Sequence, residues 1–273
     1  MADCTTCSSC ASSADLARMG LDVGRFDYVV ALAGNPNTGK SSVFNALTGL
    51  HQHTGNWPGK TVARAEGGYR FGDHRYKLVD LPGTYSLLSA AQDEEIARDF
   101  ILFGRPDCTI VVTDATCLER NLNLTLQVLE ISDRVVMCVN LMDEARRKDL
   151  EIDVRALSRD LGVPVVGTSA RTGEGLRSLL EQVELVATGR MATSPHRVVR
   201  DGAFQQAVNE LAAMVEELVP GLPNARWVAM RLLDGDLRVE RALLGGELTT
   251  VAERQHAPND GVALTVGATE GDL

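Results

Sequence analysis

Between Tyr28 and Ala187 short apolar runs alternate with helix-length segments, and this rhythm leaves few folds open. The runs are YVVALAG (28–34), YKLVDL (76–81), CTIVVTD (108–114), RVVMCVN (134–140) and VPVVGTSA (163–170). Each reads as nearly continuous Val, Ile and Leu, the pattern of strands covered on both faces. Helical periods are expected from Lys40, near 92–103, near 119–131, near 153–161 and near 174–187. The fold class is therefore α/β, with a doubly wound, mainly parallel sheet over residues 27–189. After Gly189 the strands stop. Residues 190–200 read as a linker, and 201–246 as a small all-helical domain with periods at 201–218 and about 225–245, parted by the turn signal Pro220-Gly221-Leu222-Pro223. Residues 1–26 form a Cys/Ser-rich leader expected to be flexible, and 247–273 a tail expected to be partly disordered.

Charge narrows the partners. Lys and Arg number 27 against 37 Asp and Glu, a net −10 shared by both halves, which argues against a nucleic acid held by its phosphates. No apolar run approaches the ~18–20 residues of a membrane span, and the N-terminus lacks the basic and apolar regions of a signal peptide. The chain is expected to be soluble. Cys108, Cys117 and Cys138 each lie singly in apolar surroundings, as reduced buried thiols do. Cys4, Cys7 and Cys10 instead form C-x2-C-x2-C, whose thiolates suit one soft metal ion or cluster. Three ligands without a fourth make an incomplete site, so a plain flexible tail stays the competing reading.

The first apolar run leads directly into Gly34-Asn35-Pro36-Asn37-Thr38-Gly39-Lys40-Ser41, a G-x4-G-K-[ST] phosphate loop with a strand before it and a helix after it. Its glycines let backbone N–H groups turn around a β-phosphate, Lys40 reaches the β/γ oxygens, and Ser41 is placed to ligate Mg2+. The base is read farther on. Asn140-Leu141-Met142-Asp143 follows a strand C-terminus, and the Asp143 carboxylate accepts from guanine N1–H and its 2-amino group, where adenine offers a lone pair. Thr168-Ser169-Ala170 follows another strand, and its Ala170 N–H suits guanine O6. Between these lie the γ-phosphate sensors. Asp80 of Asp80-Leu81-Pro82-Gly83 is expected to hold Mg2+ through water, the Gly83 N–H to meet the γ-phosphate, and Thr61 of Gly59-Lys60-Thr61-Val62 to close on Mg2+ only when that phosphate is present. The α/β domain thus reads as a Ras-like P-loop GTPase. Lys40, Thr61 and Gly83 are the expected catalytic positions.

In order, GNPNTGKSS, GNWPGKTV, DLPGTYSL, NLMD and TSA resemble the N-terminal cytosolic G domain of the ferrous iron transport protein B family. The phrase 225–236, ARWVAMRLLDGD, resembles that family's helical guanine-nucleotide dissociation inhibitor domain, so the likeness covers roughly 27–245. It implies that Ser42, Gly59 and Ser169 join the nucleotide contacts. It implies K+-activated hydrolysis, with Asn37 and carbonyls around Gly55 and Trp57 holding K+ against the phosphates, in place of an arginine finger. It also implies slow intrinsic turnover of GTP to GDP, coupled to Fe2+ uptake by a membrane domain of the same polypeptide that is absent from this chain. The setting would be the cytoplasmic side of a bacterial inner membrane, with small accessory Feo proteins as further partners and self-association open. Two departures stand out. Leu141 occupies the place of a base-stacking lysine, and Thr84 the place of a water-orienting glutamine. A K+-activated ribosome-assembly or tRNA-modification GTPase is the alternative, as is a binding module without turnover.

Overall fold

The computed structural model describes residues 16, 21, 26–49, 52–58, 60–88, 91–197, 202–222, 224–246 and 248–249. A seven-stranded sheet in the order β2-β3-β4-β1-β5-β6-β7 forms its centre. The strands are β1 (Tyr28–Gly34), β2 (Gln52–Asn56), β3 (Ala63–Phe71), β4 (His74–Asp80), β5 (Cys108–Asp114), β6 (Val135–Asn140) and β7 (Val165–Gly167). From β4 to β7 all pairs are parallel, whereas β2 and β3 join antiparallel at one edge. All five apolar runs are strands, and β6 is buried along its whole length.

The sheet is wound on both faces. Helices α1 (Lys40–Thr48) and α6 (Leu176–Ala187) cover one face over Val30, Leu32, Tyr76, Leu78 and Ile110. Helices α2 (Gln92–Phe103) and α3 (Leu118–Ile131) cover the other over Val29, Ala31, Val79, Val111 and Val139. A short α4 (Met142–Arg147) and α5 (Val154–Leu161) complete the domain. Asp153 caps α5 by accepting from the Arg155 and Ala156 N–H groups, the N-cap device that satisfies orphan donors. Gly162 then ends α5 at φ 71°, and a Cβ there would collide with the Ser194 carbonyl.

Segment 190–197 is fastened down rather than loosely spanning. Ser194 N–H donates to Gly162 O at 3.1 Å, His196 N–H to Leu161 O at 3.0 Å, and Arg197 reaches Leu129 O and Asp133. Beyond it lie α7 (Gly202–Leu218), α8 (Ala225–Leu233) and α9 (Leu237–Leu244). The period expected over about 225–245 is two helices, because Gly235 takes φ 75° and Asp236 caps a new helix through the Arg238 and Val239 N–H groups. Val215, Trp227 and Val228 of this helical part belong to the same buried cluster as Ile96, Phe100 and Leu124. Cys108 and Cys138 are buried as expected, but Cys117 is exposed, since it stands at the junction of the turn Ala115–Cys117 with α3, outside the sheet. Among the described residues no helix is long and apolar enough to cross a membrane.

Candidate functional site

The strand order places the site. Order reverses on either side of β1, and ligands of doubly wound sheets sit at the C-terminal strand ends at such a switch point. Gly34 ends β1 there, pressed against β5 so closely that a Cβ would stand 2.6 Å from Val112 O. Asn37 (φ 67°) and Gly39 (φ 78°) take the left-handed conformation that turns the loop back onto α1. A Cβ on Gly39 would also strike the Asn140 side chain. Thr38 is buried and its hydroxyl donates to Asn35 O at 2.9 Å. Asn37, Ser41 and Ser42 are exposed at the mouth.

Asn140 joins the phosphate loop to the base-reading loops. Fully buried, its Nδ2 donates to Thr38 O at 3.0 Å, and its Oδ1 accepts from Ala170 N–H at 3.1 Å and the Thr168 hydroxyl at 3.2 Å. The Ala170 N–H assigned to guanine O6 is therefore engaged by Asn140. Asp143 N–H donates to the Ser169 hydroxyl at 3.1 Å, and Met142 N–H to Thr168 O at 3.1 Å. A bidentate Arg146–Glu174 pair, at 2.5 and 2.8 Å, spans the same two loops. The Asp143 carboxylate is partly open and has only long contacts, 3.5 Å to Arg171 and 3.7 Å to Arg147.

On the other side of β1, Lys40 Nζ donates to Asp80 Oδ1 at 2.5 Å and to Leu81 O at 2.6 Å. Burial pushes the Asp80 carboxyl above its usual range, and the Lys40 charge opposes that only in part. Gly83 rests against Pro36 and Thr84 N–H donates to Gly34 O at 3.3 Å, so the DLPG loop touches the phosphate loop. Thr84 is buried with its hydroxyl on Ser86 O at 2.6 Å, which ties up the group standing where a glutamine would orient water. Asp80 and Ser41 are hard oxygen donors of the kind Mg2+ takes alongside phosphate oxygens. Asn35 is buried with neither amide atom hydrogen-bonded, an orphan suited to a polar ligand or its hydration shell.

Three expected residues are not brought to this cradle. Gly55 lies in β2 opposite Arg64, three strands from β1 or about 14 Å by ladder spacing. Trp57 is buried against α2, with its carbonyl accepting from Lys60 N–H at 2.9 Å. Thr61 is exposed in the turn between β2 and β3. Gly59, Cys4, Cys7 and Cys10 lie outside the described residues. Sequence reasoning missed Arg146–Glu174 and the links from the helical part, where Arg231 donates to Leu88 O at 3.1 Å and Arg238 pairs with Glu95. Nothing in the local sequence marks those pairings, which join residues 28 to 143 positions apart.

A phosphate loop at the switch point, an acidic strand end beside its lysine and an N-x-x-D loop locked to it by Asn140 define a G protein of the P-loop class. Comparison with known proteins narrows this further. The profile of the family described as Ferrous iron transport protein B matches residues 28–183, and the chain belongs to that family. A Porphyromonas gingivalis Fe(2+) transport protein A/Fe(2+) transporter FeoB fusion protein is 41% identical over 217 residues, covering 78% of this chain and 26% of the relative. The Fe(2+) transporter FeoB of Escherichia coli K12 is 38% identical, covering 76% and 27% respectively. The chain thus spans about a quarter of the length of these relatives. The cytosolic domain of the T. maritima FeoB iron transporter, in apo form, matches with TM-score 0.74 at 35% identity, covering 84% of this chain and 94% of that one. A mutant S. thermophilus NFeoB bound to GDP matches with TM-score 0.72 at 34% identity, covering 85% and 89%.

Proposed function

We propose that this chain binds GTP and GDP with Mg2+, hydrolyses GTP slowly with K+ as activator, and serves as the cytosolic switch of a membrane Fe2+ transporter. The observation that carries the nucleotide reading is Asn140, which fixes the phosphate loop and both base-reading loops in one buried hydrogen-bond node. Asp143 is left partly open beside that node, an acceptor for the two N–H groups on the guanine edge. With nucleotide bound, Lys40 would leave Asp80 and Leu81 O for the β/γ oxygens, freeing Asp80 to hold Mg2+ through water beside Ser41. The ion would neutralise charge on the phosphates. Thr61 would close on Mg2+ once the turn that bears it has swung in, and the Gly83 N–H would meet the γ-phosphate. Asn37 stands exposed on the phosphate loop, and with carbonyls of the swung-in Gly55–Trp57 segment would hold K+. The helical part restrains nucleotide release through Arg231 and Arg238. Calorimetry with GTP and ATP, followed by phosphate release in Mg2+ buffer, tests this. Micromolar GTP binding with ATP weaker by tenfold or more is expected, and equal affinities would refute the base reading.

A further inference from the structure

We propose that Trp57 is a latch holding the 57–62 turn away from the nucleotide, and that Arg238 of the helical part is a positioning residue keeping the latch shut through Glu95. The inference rests on the nucleotide reading above. A tryptophan on the connection leaving the edge strand β2 would ordinarily be accessible, yet Trp57 is only 5% exposed. Its ring meets Phe100 of α2 edge-on at 5.5 Å, and the Arg64 guanidinium lies 5.4 Å from its centroid. The turn closes on itself, Trp57 N–H donating to Val62 O at 3.0 Å and Lys60 N–H returning to Trp57 O at 2.9 Å.

Register shows what the latch restrains. Ala65 pairs with Asp80, so Ala63 lies two residues past that strand end, and Thr61 two further on in the exposed turn. Thr61 cannot approach an ion shared by Ser41 and Asp80 while the turn stays tucked against α2. An open pocket of about 250 Å³, lined by Trp57, Lys60, Glu95, Phe100 and Arg238 among others, adjoins the ring. Trp57 Nε1 is buried with no hydrogen-bond partner. A ring beside an open pocket, with an orphan donor, forgoes contacts that a fully packed tryptophan would have, so it leaves more easily.

Glu95 ties the latch to the helical part. Lys60 Nζ, on the turn, lies 3.6 Å from one carboxylate oxygen, Arg238 pairs with the other, and Arg238 also approaches Asp99 at 3.5 Å. One carboxylate on α2 is thus shared by a cation from the turn and a cation from α9. Removing Arg238 leaves Glu95 with the long Lys60 contact of 3.6 Å and takes away one wall of the pocket.

The chain contains two tryptophans, so Trp227→Phe leaves Trp57 as the reporter. Emission and acrylamide quenching are read without nucleotide, with Mg-GDP, and with Mg2+ plus a non-hydrolysable GTP analogue, while calorimetry follows binding in parallel. A red shift and several-fold stronger quenching are expected with the analogue alone. The same change read on the unaltered chain must vanish in Trp57→Phe, which covers the case in which Trp227→Phe folds poorly. Arg238→Ala should raise quenching before nucleotide is added and tighten analogue binding several-fold. A merely structural Arg238 would lower the unfolding midpoint and leave both readings unchanged, which would overturn its role. Analogue bound with Trp57 still shielded would overturn the latch but leave the nucleotide reading intact. No guanine-nucleotide binding at all would overturn both.

Discussion

Asn140→Ala offers the sharpest test of how the site is assembled. The side chain is fully buried and makes three hydrogen bonds, to Thr38 O, Ala170 N–H and the Thr168 hydroxyl, at 3.0, 3.1 and 3.2 Å. At about 1 kcal/mol net apiece, their loss sets a floor near ~3 kcal/mol. The stranded Thr38 carbonyl and Ala170 N–H remain in a dry interior and raise the cost to about 3–5 kcal/mol. For a chain of this size that corresponds to roughly 6–20 °C in the unfolding midpoint, at about 2–4 °C per kcal/mol. Calorimetric melting without nucleotide measures the stability effect, and titration with GDP measures the second consequence, loss of binding as the two loops separate. Thr168→Val removes one of the three bonds and should cost about 1 kcal/mol. A midpoint for Asn140→Ala within about 2 °C of the unaltered chain would refute the bridge, whatever happened to binding.

Other expectations follow from neighbouring groups. Asp143→Ala should lose roughly 2–4 kcal/mol of GTP binding through two charge-assisted hydrogen bonds, with melting little changed because its side chain has only long ion contacts; unchanged affinity in calorimetry would exclude it as base reader. GTP turnover in KCl should exceed that in NaCl at equal ionic strength by roughly tenfold, and Asn37→Ala should abolish the difference while GTP still binds. Asp236 caps α9 and pairs with Arg231 at 2.7 Å, so Asp236→Ala should cost about 2 kcal/mol by urea unfolding. Burial pushes the Asp236 carboxyl up, but Arg231 and the Arg238 and Val239 N–H groups outweigh it and hold the carboxyl below its usual range. Its contribution is therefore complete above the ordinary carboxylate range and lost as pH falls through the lowered value, so the variant and the unaltered chain should converge in stability in strong acid.

The sequence by itself determined the parallel core and the phosphate loop. Residues 28–34, 108–114 and 135–140 are apolar on both faces, and that pattern has one cheap solution, a covered parallel strand. Gly34 and Gly39 marked the phosphate loop in the sequence, but only the structure showed that a Cβ at either would strike β5 or Asn140. The antiparallel edge was not legible. β2, QHTGN, is polar, and β3 has Glu66, Gly67 and Gly68 at its centre, so neither shows the alternation that marks a half-buried strand. Their pairing is decided by β4, whose free edge recruits β3 from Ala65 to Phe71. The residues of the nucleotide site were readable as motifs. Their locking was not, because Asn140 to Thr38 and Arg146 to Glu174 join positions 102 and 28 apart and depend on where the loops meet. Only tertiary structure could show that Trp57, which the motif places among the carbonyls around K+, is held against Phe100 of α2. A buried aromatic ring gains most of its free energy from partners that its neighbours in sequence do not specify.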